Sequence, residues 1–190
     1  PNIDRALTAK TYKARTVFPT ISAECWGSML LGVEPEVHKL TSESISTKKR
    51  EDWTAMSTIF SKFAQQLPGV PMYLFCEWTP IKDGILETWC GARRGSGTMP
   101  ELTAQVLDTI RPDNMPKLVF AAYDSIDAAG HKFGYGSPEH LAEIEKFDAE
   151  FGKVYDKLCE TDMMRKTVLI VSTDHGGTAL PRRGDDPSGG

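Results

Sequence analysis

The chain has 190 residues, of which 40% are hydrophobic and 25% are charged, and its net charge is −4. This composition is ordinary for a soluble globular protein, and it predicts neither a binding surface for a nucleic-acid polymer nor a membrane span. The four cysteines form no C-x-x-C pair, and no signal peptide opens the sequence. Both observations favour free thiols in the cytoplasm, although a first residue of Pro1 is consistent with a missing N-terminal segment.

Strand-like and helical patterns alternate along the chain. Continuous apolar runs predict buried strands, whereas apolar residues spaced by three and four predict helices. Two polar segments, 39–50 and 181–190, predict loops or a frayed end. In chain order, the predicted elements are a short helix beginning at Ser22, a helix at about 51–66, a strand over 70–78, a helix over 99–110, a strand over 117–124, a helix over 137–158 and a strand over 167–174.

This alternation predicts an α/β fold in a single domain, with three layers (α/β/α) and a mostly parallel central sheet. The helix over 137–158 has the clearest signals, with Ser137 as its N-cap and Pro138 in its first turn. Ligands of open parallel sheets bind at the carboxyl ends of the strands. We therefore expect the functional residues to follow the predicted strands.

The predicted strand 167–174 ends on Asp174 and is followed by His175 and two glycines. A carboxylate and an imidazole are ligands for zinc, and glycines allow other groups to approach closely. A capped polar turn is the alternative explanation of this segment.

A second acid–imidazole pair, Asp127 and His131, follows the predicted strand 117–124 in the segment DAAGH. The four-residue spacing would align the two side chains on a helix, but Gly130 and the strand exit favour a loop. A polar turn before the next helix is again the alternative. We assign Asp124 to a supporting role at the strand end, and Trp26 and Tyr135 to packing or to the mouth of a site.

Ser22 begins a short helical pattern that Gly32 closes. The N-terminus of a helix favours an anion, and a metal ion can lower the pKa of a hydroxyl to produce a nucleophile. Ser22 is therefore a candidate nucleophile, with a simple helix cap as the alternative. Of the other two histidines, His38 is expected in a loop after a helix and His140 in the first turn of a helix, both with structural roles.

Together these segments resemble the alkaline phosphatase superfamily, most closely its type I phosphodiesterase/nucleotide pyrophosphatase branch. FPTISAECWGSMLLGVEPEVH, residues 18–38, matches the branch pattern F-P-T-x-T-x-P-N-x-x-S-x-x-T-G-x-x-P-x-x-H without a gap. DAAGHKFG, residues 127–134, matches D-x-x-G-H-x-x-G, and TDHG, residues 173–176, matches S/T-D-H-G. The opening PNIDRAL resembles the segment that follows the first core strand of the branch.

The resemblance implies a hydrolase of small phosphate esters that uses two divalent metal ions, zinc or alternatively manganese. Ser22 would be the nucleophile that forms a phosphoserine. Asp127 and His131 would bind one metal ion, and Asp174 and His175 would bind the other together with Ser22. A phosphomonoesterase, a phosphomutase and a catalytically inactive binding remnant are the alternatives, and the oligomeric state is left open.

The chain departs from the pattern at several points. Glu24 replaces a proline, and Cys25 stands at the substrate-binding position where nucleotide pyrophosphatases have asparagine. An aspartate expected before PNIDRAL and a histidine expected after TDHG have no counterpart in the 190 residues. The resemblance therefore implies that 1–190 is a fragment of a longer catalytic domain.

Overall fold

The computed structural model describes residues 1–7, 14–47 and 56–178. The helices are α1 (Asn2–Ala6), α2 (Ser22–Leu31), α3 (Pro35–His38), α4 (Ser42–Thr47), α5 (Ile59–Gln66), α6 (Met99–Thr109), α7 (Ser125–Phe133) and α8 (Pro138–Glu160). The strands are β1 (Met72–Cys76), β2 (Arg93–Gly95) and β3 (Leu118–Ala122). A π-helical turn spans Ile81–Ile85, and 3₁₀ turns span Pro112–Asn114 and Met164–Lys166.

The three strands form one parallel sheet in the order β2-β1-β3. The register pairs Tyr73 with Arg93 on one side of β1, and Cys76 with Ala122 on the other. The carboxyl ends of β1 and β3 therefore lie side by side. This edge is where the candidate functional residues were expected.

Successive side chains of β1 point to opposite faces of the sheet, and other elements cover both faces. Leu74 belongs to the apolar cluster that includes Leu30 of α2 and Phe60 of α5. Phe75 belongs to a second cluster with Leu102 and Val106 of α6. Helices thus cover the sheet on two sides, which confirms the predicted α/β fold with a mostly parallel sheet.

Most of the predicted elements are present. The predicted strands 70–78 and 117–124 correspond to β1 and β3, and the predicted helix 99–110 corresponds to α6. The predicted helix 137–158 corresponds to α8, and the Ser137 hydroxyl caps it by accepting a hydrogen bond from the backbone N–H of His140. α2 begins at Ser22, as predicted, and ends at Gly32 in the left-handed conformation.

The predicted strand 167–174 is wrong. The segment is irregular and has no place in the sheet β2-β1-β3, and the side chains of Val168 and Ile170 are 87% and 78% exposed. An apolar pattern alone does not make a strand, which also needs a hydrogen-bonded neighbour. The opposite error occurs at β2, a short strand of Arg93, Arg94 and Gly95 that has no apolar pattern to predict it.

The predicted helix at 51–66 and the predicted loop at 39–50 differ from the structure in their described parts. Residues 51–55 lie outside the described residues, and α5 begins only after Thr58, whose side chain accepts from the N–H of Ser61. Within 39–50 the structure describes α4, in which Ser44 and Thr41 exchange hydrogen bonds at the N-terminus. The predicted frayed end at 181–190 lies outside the described residues.

All four cysteines are free thiols, and three of them, Cys25, Cys76 and Cys90, are buried. Within 1–7, 14–47 and 56–178, the structure contains no helix with the length and apolarity needed to cross a membrane.

Candidate active site

A small cavity lies at the carboxyl edge of the sheet. It is narrow and partly open to solvent. Four structural segments contribute to its wall: the start of α2, the loop after β1, the end of β3 with the start of α7, and the segment before His175. The lining residues are Ser22, Trp26, Trp78, Ile81, Ala122, Tyr123, Asp124, Asp127 and Asp174.

Ser22 faces this cavity from the first position of α2. The Ser22 Oγ and His175 Nε2 atoms are 2.9 Å apart. The other ring nitrogen of His175, Nδ1, is 3.0 Å from the Gly176 carbonyl oxygen and must donate its proton there. In the neutral imidazole Nε2 is then the acceptor, and the Ser22 hydroxyl donates to it.

His175 is buried, and Thr16 binds the backbone of its neighbour Asp174. The hydroxyl of Thr16 donates to the backbone carbonyl of Asp174. The Asp174 carboxylate lies 3.4 Å from His175 Nε2. The irregular backbone after Ile170 lets these adjacent side chains meet, which a regular strand would prevent.

Asp127 and His131 also meet, although not in the way the sequence predicted. The segment DAAGH is part of helix α7 rather than a loop, and the four-residue spacing places both side chains on one helix face. The Asp127 Oδ2 and His131 Nε2 atoms are 3.2 Å apart. Gly130 lies inside this helix and does not break it. The absence of a side chain at Gly130 makes room for the ring of Tyr135.

Tyr135 connects the two acid–imidazole pairs. Its hydroxyl donates to Asp127 Oδ1. Its ring packs so closely against Gly130 in α7 and Gly177 after His175 that a Cβ atom at either glycine would overlap it. From the sequence, Tyr135 was expected either to pack against other residues or to line the mouth of the site. The structure places it in packing, outside the cavity wall and in contact with Asp127.

Three carboxylates, Asp124, Asp127 and Asp174, converge on the cavity. Burial raises the pKa of the Asp124 carboxyl, and the nearby negative charge of Asp127 raises it further. Burial likewise raises the pKa of Asp174, an effect that His175 partly offsets. This concentration of negative charge favours a bound cation.

The donor atoms suit a metal ion in their chemistry. Metal-binding histidines commonly donate their second ring N–H to a carbonyl, as His175 does to Gly176, which leaves Nε2 directed at the Ser22 hydroxyl. Each acid–imidazole pair offers one oxygen and one nitrogen ligand. Within the described ranges, however, no three His, Cys, Asp or Glu side chains form a group that could hold one metal ion.

Not every predicted site residue lies at the cavity. His131 contacts Asp127 but is absent from the cavity wall, and its side chain is 43% exposed. Cys25 is buried and also absent from the wall, with its Sγ atom 3.3 Å from the Thr16 hydroxyl and 3.8 Å from the Pro19 carbonyl oxygen. Trp26 does line the cavity, and it also packs edge-on against Phe120.

The remaining histidines lie outside the cavity wall. His38 ends α3 and is buried, with Nδ1 accepting from the N–H of Leu40 and Nε2 within 3.2 Å of the Glu24 carbonyl oxygen. His140 lies in the first turn of α8, and its Nδ1 accepts from the N–H of Gly136.

Among the residues of the site that sequence reasoning missed, Glu77 and Trp78 are adjacent in the chain. Trp78, just after β1, lines the cavity. Glu77 binds the N-terminus of α7 through its carboxylate. The available signal was position, because both residues follow a strand of the same parallel sheet and therefore lie at its carboxyl edge.

The fold and this edge define an α/β protein in which a serine and two acid–imidazole pairs come together beside the carboxyl edge of a parallel sheet. The family model described as type I phosphodiesterase/nucleotide pyrophosphatase matches residues 1–187. The chain belongs to this family, which lies in the alkaline phosphatase superfamily, as the motifs indicated.

Two curated relatives and one solved structure illustrate the similarity. Human ectonucleotide pyrophosphatase/phosphodiesterase family member 1 is 23% identical over 194 residues, which cover 93% of this chain and 21% of that protein. The alkaline phosphatase PhoK of a Sphingomonas species is 30% identical over 66 residues, covering 35% of this chain and 11% of that protein. Murine ectonucleotide pyrophosphatase/phosphodiesterase 5 superposes with a TM-score of 0.66 at 16% identity, covering 86% of this chain and 48% of that chain. The chain thus spans about a fifth of the first of these curated relatives and half of the solved structure.

Proposed function

We propose that this chain contributes the nucleophile and four metal-binding side chains of a metal-dependent hydrolase of small phosphate esters, with Ser22 as the nucleophile. One observation carries the proposal: the Ser22 hydroxyl donates to His175 Nε2 in a cavity that Ser22 shares with Asp127 and Asp174. The family membership supports phosphate ester hydrolysis as the reaction class.

The proposed cofactor is a pair of divalent metal ions, zinc or manganese. Asp127 and His131 would hold one ion, and Asp174 and His175 would hold the other together with Ser22. Bound divalent ions lower the pKa of a coordinated hydroxyl and neutralise negative charge on a phosphoryl group. The negative charge of the three cavity carboxylates supports this requirement for cations.

In the proposed reaction, the Ser22 oxygen forms a bond to phosphorus while the bond from phosphorus to the leaving oxygen breaks. The Ser22 proton would pass to solvent water, since coordination to a divalent ion lowers the pKa of the hydroxyl and the Nε2 lone pair of His175 would be bound to that ion. The leaving oxygen departs with the bonding electron pair and takes up a proton. Water then attacks the phosphoserine, which regenerates the Ser22 hydroxyl and releases the phosphate product.

Backbone N–H groups at the N-terminus of α2 would also help to bind the phosphoryl group. The N–H groups in the first turn of a helix lack acceptors within the helix, and they stabilise an anion that binds at this end. Because Ser22 is the first residue of α2, a phosphoryl group attached to its oxygen would lie near these N–H groups. Cys25 is proposed as a substrate-binding residue through its motif position, although its thiol is buried beside Thr16.

Diester hydrolysis is the first candidate activity, because the matching family model describes phosphodiesterases and pyrophosphatases. Monoester hydrolysis is the second, favoured by the similarity of a third of the chain to an alkaline phosphatase. A nitrophenyl ester of thymidine monophosphate and nitrophenyl phosphate, each assayed with added zinc or manganese, distinguish the two. We expect the diester to be hydrolysed faster, and the reverse preference would replace the first candidate by the second.

Trapping of the intermediate tests the role of Ser22 directly. We expect acid quenching during turnover to leave a phosphoryl group on the peptide that contains Ser22, detected by mass spectrometry. Hydrolysis without any such adduct, or an adduct on another residue, would contradict the covalent mechanism proposed for Ser22.

A further inference from the structure

Glu77 joins the carboxyl ends of two neighbouring strands. It directly follows the last residue of β1, and its backbone N–H donates to the Ala122 carbonyl at the end of β3, at 3.1 Å. This bond extends the pairing of β1 with β3 by one position beyond the register pair Cys76–Ala122. The backbone of Glu77 is therefore fixed by the sheet.

The carboxylate of Glu77 binds the first turn of α7. Its Oε2 atom accepts from the backbone N–H of Asp124 at 2.6 Å, and from both the backbone N–H and the hydroxyl of Ser125 at 2.7 Å. A negative charge at a helix N-terminus stabilises the free N–H groups and the positive end of the helix dipole. Glu77 thus attaches α7 to the sheet.

α7 is the helix that carries Asp127 and His131. Asp127 lies two residues beyond Ser125, and Asp124, which also lines the cavity, is itself a donor to Glu77. We infer that Glu77 is a positioning residue that sets the place of Asp127 and His131 relative to Ser22. This inference rests on the proposed function, in which Asp127 and His131 bind a metal ion.

The molecule contains the same kind of contact at helices that lack site residues. Glu101 accepts from the backbone N–H and the hydroxyl of Thr98 at the start of α6, at 2.8 and 2.9 Å. Glu87 accepts from the backbone N–H of Thr58 at the start of α5, at 2.7 Å. If Glu77 did no more than cap a helix, replacing any of these glutamates would have the same kind of effect. We expect an effect on metal binding only when Glu77 is replaced.

The test compares Glu77→Gln with the control Glu101→Gln in the full-length protein. Manganese affinity is measured by electron paramagnetic resonance, and kcat and KM are measured with the nitrophenyl ester of thymidine monophosphate. We expect Glu77→Gln to weaken manganese binding about tenfold or more and to lower kcat, because groups that orient metal ligands have effects of this size. Glu101→Gln should bind manganese like the wild type.

Amide hydrogen exchange provides a second readout that needs no metal. We expect exchange at Asp124 and Ser125 to accelerate in Glu77→Gln, while exchange in the middle of α8 stays at the wild-type rate. Unchanged exchange at Asp124 and Ser125, or wild-type manganese affinity in Glu77→Gln, would overturn the inference. A full-length wild-type protein that binds no manganese and hydrolyses neither ester would instead overturn the proposed function, which separates the two failures.

Discussion

The Ser22 hydroxyl donates a hydrogen bond to His175 Nε2 at 2.9 Å, across 153 positions of the sequence. The two residues come from different segments, one at the start of α2 and the other after Asp174. The contact brings the candidate nucleophile to one of the two acid–imidazole pairs. It leads directly to a prediction about Ser22.

Ser22→Ala should lower the rate of ester hydrolysis by at least about 10³-fold, because removal of a nucleophile removes the covalent route. Metal binding should be largely retained, since four carboxylate and imidazole ligands remain. Steady-state kinetics and metal titration measure the two effects. Ser28→Ala is the matched control, because Ser28 also lies on α2 with its hydroxyl 3.1 Å from a histidine Nε2, that of His38. Equal loss of activity in both variants would remove Ser22 from the proposed role.

Addition of zinc or manganese should stabilise the chain against heat, because a ligand that binds only the folded state raises the free energy of unfolding. At a metal concentration of about 100 times Kd, the expected gain is about 2.7 kcal/mol. Asp127→Ala should lose a large part of this gain. Asp108→Ala removes an exposed aspartate at the end of α6 and should keep it. Thermal unfolding with metal and with chelator measures the difference, and a full gain in Asp127→Ala would contradict the assignment of Asp127.

Gly177→Ala should destabilise the protein by about 1–3 kcal/mol, because the new methyl group would overlap the ring of Tyr135. Gly176→Ala is the matched control. A Cβ atom at Gly176 meets no other atom within 4 Å, so its effect should stay within about 0.5 kcal/mol. Urea unfolding of both variants checks the prediction. Similar stabilities for the two variants would mean that Tyr135 does not fill this space.

Asp124→Asn should stabilise the metal-free protein at neutral pH. Burial, followed by the nearby carboxylates of Asp127 and Glu77, raises the pKa of Asp124 in the folded state. A group with a raised folded pKa binds more protons when folded, so its stabilising contribution is complete below the unfolded pKa and is lost as the pH rises through the folded pKa. The advantage of the asparagine variant should therefore shrink as the pH falls towards the unfolded value of about 3.9.

Asp156→Asn is a control for which we expect the opposite change in stability with pH. The hydrogen bond from Arg5 lowers the pKa of the Asp156 carboxyl, and the two groups form an ion pair at 2.7 Å. The stabilising contribution of Asp156 is therefore present above the unfolded pKa and is lost as the pH falls through the folded pKa. Denaturant unfolding with chelator across pH 3–8 measures both variants, and a destabilised Asp124→Asn at neutral pH would contradict the prediction.

Local signals predicted the elements that depend on local interactions. Ser137 and Pro138 marked the start of α8, and Ser22 and Gly32 marked the two ends of α2. The motifs also identified Ser22, Asp127 and Asp174, which the fold brings to one cavity. The parallel sheet accounts for Asp127, which follows β3 at this edge, whereas Ser22 and Asp174 come from segments outside the sheet.

Elements that depend on distant contacts could not be predicted in the same way. The segment DAAGH forms a helix because Glu77, 48 positions before Ser125, binds the N-terminus of α7, and because Gly130 packs against Tyr135. β2 exists because it pairs with β1, although its own residues are two arginines and a glycine. Conversely, 167–174 has a strand-like composition but lies outside the sheet.

The single aromatic ring at Tyr135 constrains two glycines, Gly130 and Gly177, that lie 47 positions apart and flank different acid–imidazole pairs. Neither glycine can acquire a side chain while the ring keeps its size and place. We expect these three positions to vary together among homologues, so that a smaller residue in place of the tyrosine accompanies alanine or serine at one of the glycines. Such covariation would show that natural selection acts on the spacing between the two halves of the site.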